Sequence, residues 1–176
     1  MKFEQLSVFQ SAWVVDDIDV AILHWANDVG VGPFFVTEYF EGDLEQTLYR
    51  GASSPITMKT ALAQAGDTQI ELIQPTGSAR SAYRDTVPEG KTAFHHIGVW
   101  SNDLAADIAR YQAKGFEVAA SGKAGEAVGF AYIDTSDALG HMIELVEDTP
   151  EIRSAFKLIA DASKNWDGLD PVRTLA

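Results

Sequence analysis

Residues 10–25 read QSAWVVDDIDVAILHW, and residues 96–111 read HIGVWSNDLAADIARY. Slid 86 positions along the chain, the first stretch falls on the second: Gln10 on His96, Asp17 on Asp103, Ile18 on Leu104, Ile22 on Ile108 and Trp25 on Tyr111. Each is a short apolar strand, an acidic turn and a helix. Asp16 or Asp17 in the first, and Asn102 or Asp103 in the second, can accept from the free amides of the first helical turn. Ile18, Ala21, Ile22 and Trp25 then form an apolar stripe at spacings of three and four, as do Leu104, Ile108 and Tyr111. Gly30 and Gly115 stand where a left-handed residue ends a helix.

The repeat continues. Residues 69–73 (QIELI) and 142–146 (MIELV) are strands with one Glu at the centre. Two further strand-like runs lie between each helix and its Ile-Glu-Leu strand, at 34–40 and 56–63 in the first half and at 116–120 and 128–133 in the second. The chain therefore reads as α+β: two βαβββ modules, residues 8–76 and 93–148, that build a cupped eight-stranded mixed sheet. Residues 77–92 are a linker containing a turn or short helix. An amphipathic helix begins at Pro150, within a C-terminal segment of residues 149–176. Two small units that bury too little apolar surface alone gain by packing together, which explains the duplication but not the polar residues inside it.

Composition restricts the partners. Hydrophobic residues make up 46% of the 176 positions and charged residues 22%, a globular balance. The chain has no Cys, which removes disulfides, thiolate zinc sites and cysteine nucleophiles together. Twenty-six acidic against 13 scattered basic residues leave a net charge of −13, which disfavours nucleic acid and anionic membrane surfaces. The opening residues 1–6 lack the apolar core of a signal peptide, and no apolar run approaches the ~18 residues that span a bilayer. These features lead to the expectation of a cytoplasmic protein that takes a small molecule.

Glu71 points away from Ile70 and Leu72, and Glu144 away from Ile143 and Leu145, because strand side chains alternate. One such Glu would ordinarily face water. Here it recurs at the same place in both halves, and Gln10 and His96 recur as a second matched polar pair. Packed with pseudo-twofold symmetry, Gln10, Glu71, His96 and Glu144 converge. Two close carboxylates in a partly apolar cup require a compensating charge. No Lys or Arg occupies a repeat-equivalent position, so a divalent cation is the natural partner. Three oxygen-bearing ligands and one imidazole suit an open five- or six-coordinate site.

Together with His95-His96-Ile97-Gly98 and the run Asp137-Ala138-Leu139-Gly140-His141-Met142-Ile143-Glu144-Leu145, this pattern resembles the vicinal oxygen chelate superfamily. That is the fold of glyoxalase I, methylmalonyl-CoA epimerase, extradiol dioxygenases and bleomycin-resistance proteins, and the resemblance covers residues 8–147. It implies a metal between the two cups, held at Gln10, Glu71, His96 and Glu144. The order Gln, Glu, His, Glu looks like that of animal-type glyoxalase I, whereas methylmalonyl-CoA epimerase has His, Gln, His, Glu. The resemblance implies zinc first, with cobalt, nickel or manganese as alternatives, and a homodimer.

The expected activity is that of an isomerase, epimerase or lyase: proton transfer beside a carbonyl, through an enolate stabilised by the metal. Glu144 is then the main base, and Glu71 returns the proton on the other face. Trp13, Phe34, Phe35, Trp100 and Tyr132 are candidates to line the substrate pocket, with Gly32-Pro33 at its mouth, although aromatics at such spacings commonly belong to the core. A glutathione-type substrate would need cations, for which Arg50, Lys59, Arg80, Arg84 and Lys123 are candidates. The competing reading is a protein that sequesters a small molecule without turnover, as bleomycin-resistance proteins do. An extradiol-type dioxygenase fits less well, because its facial triad needs a second His and only His96 stands at a ligand position. His95 is expected on the face opposite His96, His24 in solvent, and His141 in a turn on the face opposite Glu144.

Overall fold

The computed structural model describes residues 6–125 and 128–174; residues 1–5, which carry most of the opening segment discussed above, lie outside it. Strand β1 (Val8–Val14) is followed by helix α1 (Ile18–His24), whose first turn is capped by Asp17 accepting from the Val20 amide at 3.0 Å. The helix runs on through a π turn (Trp25–Val29) and stops at Gly30, at φ 78°. Strands β2 (Phe34–Tyr39), β3 (Leu44–Tyr49), β4 (Ala52–Ser53), β5 (Met58–Ala65) and β6 (Thr68–Pro75) complete the first half. A short helix α2 (Ala82–Thr86) lies in the connection.

The second half repeats the plan with β7 (Ala93–Ser101), α3 (Leu104–Gln112), β8 (Glu117–Ala124), β9 (Val128–Asp134), a short α4 (Ser136–Leu139) and β10 (Met142–Glu147). Asp103 caps α3 as Asp17 caps α1, accepting from the Ala106 amide at 3.0 Å. Helix α5 (Pro150–Ser163) opens with Pro150, whose missing N–H costs nothing in a first turn, and the two-residue β11 (Val172–Arg173) ends the described chain. No helix is long and apolar enough to cross a membrane among the described residues.

All strands join one mixed sheet, in the order β11-β2-β5-β6-β1-β7-β10-β9-β8-β3-β4. The blocks β2-β5-β6-β1 and β8-β9-β10-β7 have the same internal order and meet at an antiparallel seam between β1 and β7. These are the eight expected strands. Three more extend the sheet. β11 pairs with β2, and the β3–β4 hairpin, inserted in the first module, pairs with β8 of the second, Leu44 opposite Ala124.

Period-two alternation sorts the apolar residues into three cores. Ile70 and Leu72 face outward and bury Ile18 and Ile22 of α1. Ile143 and Leu145 face outward to Tyr111, with Leu104 and Ile108 of α3 packed alongside. Each fully buried Ile or Leu contributes about 1.5–3 kcal/mol. The inner face gathers residues of both modules, among them Ala12, Met58, Phe130, Tyr132 and Met142. The functional candidates stand on that inner face.

Candidate metal centre and its cavity

The four central strands, β6-β1-β7-β10, hold the four sequence candidates in two adjacent rows. Across the first row run Gln69, Gln10, Gly98 and Glu144; across the second run Glu71, Ala12, His96 and Met142. Exchanging the modules converts one row into the other, so Gln10 replaces His96, Glu71 replaces Glu144 and Ala12 replaces Gly98. Each row thus carries two candidate ligands and one very small residue. The smallness is needed: a Cβ on Gly98 would lie 2.7 Å from Gln10 Oε1 and 2.9 Å from its Cβ.

The charged groups meet at one point. His96 Nε2 lies 3.2 Å from Glu144 Oε2 and 3.4 Å from Glu71 Oε2, and one ligand atom from each of the three residues falls within 4.8 Å of the others. The His96 side chain is fully buried, and those of Glu71 and Glu144 are 13% and 12% exposed. Despite this proximity, His96 Nε2 and Glu71 Oε2 have no hydrogen-bond partner in acceptable geometry, nor has Gln10 Oε1, whose amide nitrogen donates to Gln69 Oε1 at 2.7 Å. Unpartnered buried polar atoms are rare and costly. His96 Nε2 and Glu71 Oε2 lie 3.4 Å apart beside Glu144, and such oxygen and imidazole donors are those a divalent cation takes. The residues present fit such an ion.

Without a cation, a proton must relieve the repulsion. Burial works against a charged His96 ring, but the carboxylates of Glu144 and Glu71 outweigh it and raise its pKa to about 9. Burial also raises the Glu71 carboxyl; His96 opposes that rise and Glu144 adds to it.

His95 is not on the opposite face, as strict alternation predicts. Ala12 pairs with His96 but Trp13 pairs with Phe94, so His95 has no partner on β1 and forms a β-bulge. A bulge redirects a side chain, and this one brings the buried His95 ring to His96, with Nδ1 to Nδ1 at 2.9 Å. His95 Nε2 reaches the Ala82 carbonyl of α2 at 3.1 Å. Burial, with the His96 charge beside it, lowers the His95 pKa to about 3, so the ring is neutral. The β1 strand carries a matching irregularity between Val8 and Gln10, which leaves Phe9 unpaired at the position equivalent to His95.

A cavity of about 120 Å³ opens over Gln10, Glu71 and Glu144. Its remaining polar wall consists of Tyr39, Tyr83, Tyr132 and Thr60, and the Tyr83 and Tyr132 hydroxyls lie 3.2 Å apart. Leu44, Met58, Leu62, Phe130 and Val146 supply apolar walls, and Ile152 and Phe156 of α5 close one side. No Lys or Arg lines it among the described residues.

Of the aromatic candidates, Tyr132 alone lines this cavity. Trp13 follows Ala12 along β1 and therefore faces the other way, against Trp25 and Phe94. Phe34 is fully buried beneath α1, and Phe35 lies on β2 between Leu62 of β5 and Arg173 of β11. Trp100 stacks on Phe9 at 3.9 Å beneath Arg153. Gly32 and Pro33 do not form the mouth; the Trp166 ring lies so close that a Cβ on Gly32 would be 2.7 Å from it.

The cation candidates are engaged elsewhere or face away. Arg50 bonds Asp85 at 2.8 Å, Glu117 at 2.9 Å and Asp134. Arg84 bonds the Val87 and Pro88 carbonyls, Arg80 lies over the Tyr49 ring, and Lys123 lines a different groove. Lys59 follows Met58 on β5 and alternates away from the cavity. His24 is exposed and paired with Asp28, and His141 bonds the Met142 carbonyl outside the cavity. Tyr83 and Tyr39 were not foreseen. Tyr83 comes from the linker, where no periodicity marks it, while Tyr39 could have been found from its inward parity on β2.

Paired βαβββ units that share one inner face, with one cluster of ligand-type side chains on it, define a two-module class of protein. Residues 9–132 match the family described as Glyoxalase/Bleomycin resistance protein/Dioxygenase superfamily, and the chain belongs to that superfamily. Solved structures with this fold include the methylmalonyl-CoA epimerase of Mycobacterium tuberculosis, at 21% identity and a TM-score of 0.57 over 84% of this chain and 91% of that one. A Streptomyces coelicolor methylmalonyl-CoA epimerase variant in complex with 2-nitronate-propionyl-CoA aligns at 18% identity and a TM-score of 0.57, over 82% of this chain and 99% of that one. No curated protein matches the sequence.

Proposed function

We propose that this protein is a divalent-metal-dependent isomerase, epimerase or lyase that transfers a proton beside a carbonyl group. One observation carries the reading: ligand atoms of Glu71, His96 and Glu144 lie within 4.8 Å of one another beside a cavity that Glu71 and Glu144 line, two of them buried without hydrogen-bond partners. Gln10, Glu71, His96 and Glu144 would hold the ion, with zinc the first choice. A divalent cation held there would act as a Lewis acid toward a carbonyl oxygen.

The chain's own groups do the rest. Glu144 borders the cavity and stands opposite Tyr132 across β9 and β10, where it can take a proton from carbon. Glu71 reaches the same cavity from the other module and can return a proton from the opposite side. Tyr83 and Tyr132 offer neutral O–H donors to a substrate oxygen, and the aliphatic walls limit water, which strengthens each of these interactions. With no Lys or Arg in the described lining, the part of the substrate that enters is uncharged apart from its reacting oxygens. This favours an apolar oxo compound, lactone or thioester end over a free carboxylate, whose burial without a partner is costly.

The test is deuterium uptake from heavy water into candidate α-carbonyl compounds by zinc-loaded protein. Exchange that disappears on chelation and returns with metal supports the proposal. Exchange that persists after metal removal overturns the metal requirement, and binding of the same compounds without any exchange would leave sequestration as the function.

A further inference from the structure

The bulge on β7 places a second, fully buried histidine in contact with His96, and the hydrogen-bond directions along that contact can be assigned. The Ala82 carbonyl only accepts, so His95 Nε2, 3.1 Å away, must be the donor. A charged His95 ring would be buried with no carboxylate among its contacts, which are the Ala82 carbonyl, His96 and the rings of Tyr83 and Tyr132. The ring is therefore neutral, with a bare Nδ1. That nitrogen is 2.9 Å from His96 Nδ1 and can only accept, so His96 carries a proton on Nδ1. A neutral His96 is then left with its lone pair on Nε2, the atom that faces Glu71 and Glu144.

We propose that His95 is a positioning residue that fixes His96 in the Nδ1–H tautomer and so presents the Nε2 lone pair to a cation. The chain runs from the α2 backbone through His95 and His96 to the point where the two carboxylates meet. Partners of this kind, which orient a metal-binding imidazole and fix its tautomer, typically change metal affinity by about 10–100-fold when removed. The bulge is what makes the chain possible, because a regular strand would turn His95 toward the opposite face. The tautomer assignment stands on hydrogen bonding within the chain, while its consequence for a cation rests on the function proposed above.

The two parts are tested separately. In metal-free protein labelled with 15N at histidine, two-bond proton–nitrogen spectra should show His95 protonated on Nε2 alone and His96 protonated on Nδ1. A bare His96 Nδ1 would overturn the proposal, and this measurement needs no variant. Zinc affinity, measured by competition with a chromophoric chelator, should fall about 10–100-fold in His95→Phe and largely recover in His95→Gln, whose amide oxygen can accept from Nδ1–H. Unchanged zinc affinity in a folded His95→Phe would also overturn it. If the native protein binds no zinc, the metal reading fails and the spectra still decide the role of His95.

Discussion

The two modules place their candidate ligands by the same register yet hold them by different means. In the first, Gln10 is held by Gln69 on the neighbouring strand. The equivalent of Gln69 in the second module is Met142, which has no group to orient an imidazole, and there His96 is contacted by the bulge residue His95. The equivalent bulge residue in the first module, Phe9, stacks on Trp100 instead. The shared register therefore fixes where the side chains point, whereas the groups that contact them differ between the halves.

The largest expected effect separates the two carboxylates. Glu144→Gln should lower deuterium exchange by about 10²–10⁴-fold, the contribution of a positioned general base, and Glu71→Gln should lower it less. Equal losses in single-turnover exchange would mean that the halves share the proton transfer evenly.

The two histidines should give metal-free protein opposite pH responses. His96 has its pKa raised from 6.5 to about 9, so its stabilisation is complete below pH 6.5 and is lost as the pH rises through 9. His95 has its pKa lowered to about 3, so its neutral ring supports folding above pH 6.5 and that support declines as the pH falls toward 3. Thermal unfolding of chelator-treated protein should show both limbs. Zinc should remove the alkaline one by displacing the His96 proton, and an alkaline limb that persists with zinc bound would place the ion elsewhere.

Gly98→Ala should cost about 1–3 kcal/mol, because the new methyl would sit 2.7 Å from Gln10 Oε1. Its counterpart, Ala12→Gly, should cost about 1–2 kcal/mol, from backbone entropy together with the loss of a fully buried methyl. Denaturant unfolding of the two variants would show whether the ligand in the first module is packed as tightly as the comparison requires. The smallest effect is expected for Arg50→Ala. Its ion pairs tie the β3–β4 insertion to the linker and the second module but are partly exposed, so the loss should be about 1 kcal/mol and should shrink at high salt.

What could be read from the sequence follows from this comparison. The βαβββ plan, both helix caps and the approach of Glu71, His96 and Glu144, with Gln10 in the same row as Glu144, depend only on strand and helix periods, which the duplicated stretches repeat. His95 was placed on the wrong face because a bulge breaks period two without leaving a mark in the residues around it. Tyr83 was missed because linker residues carry no period. The β3–β4 hairpin was missed because residues 44–53 lack apolar alternation and their principal partner strand, β8, lies in the other module. Trp13 and Trp100 show that aromatic character alone does not reveal which surface a side chain joins.

The hairpin lent by one half to the edge of the other has a consequence for how the molecule could be taken apart. A chain cut within residues 77–92 would leave β3 on one fragment and its partner β8 on the other, in addition to the divided β1–β7 seam. Neither fragment would possess a complete sheet of its own. The pieces should therefore recombine as a complementing pair rather than persist as two independent small proteins.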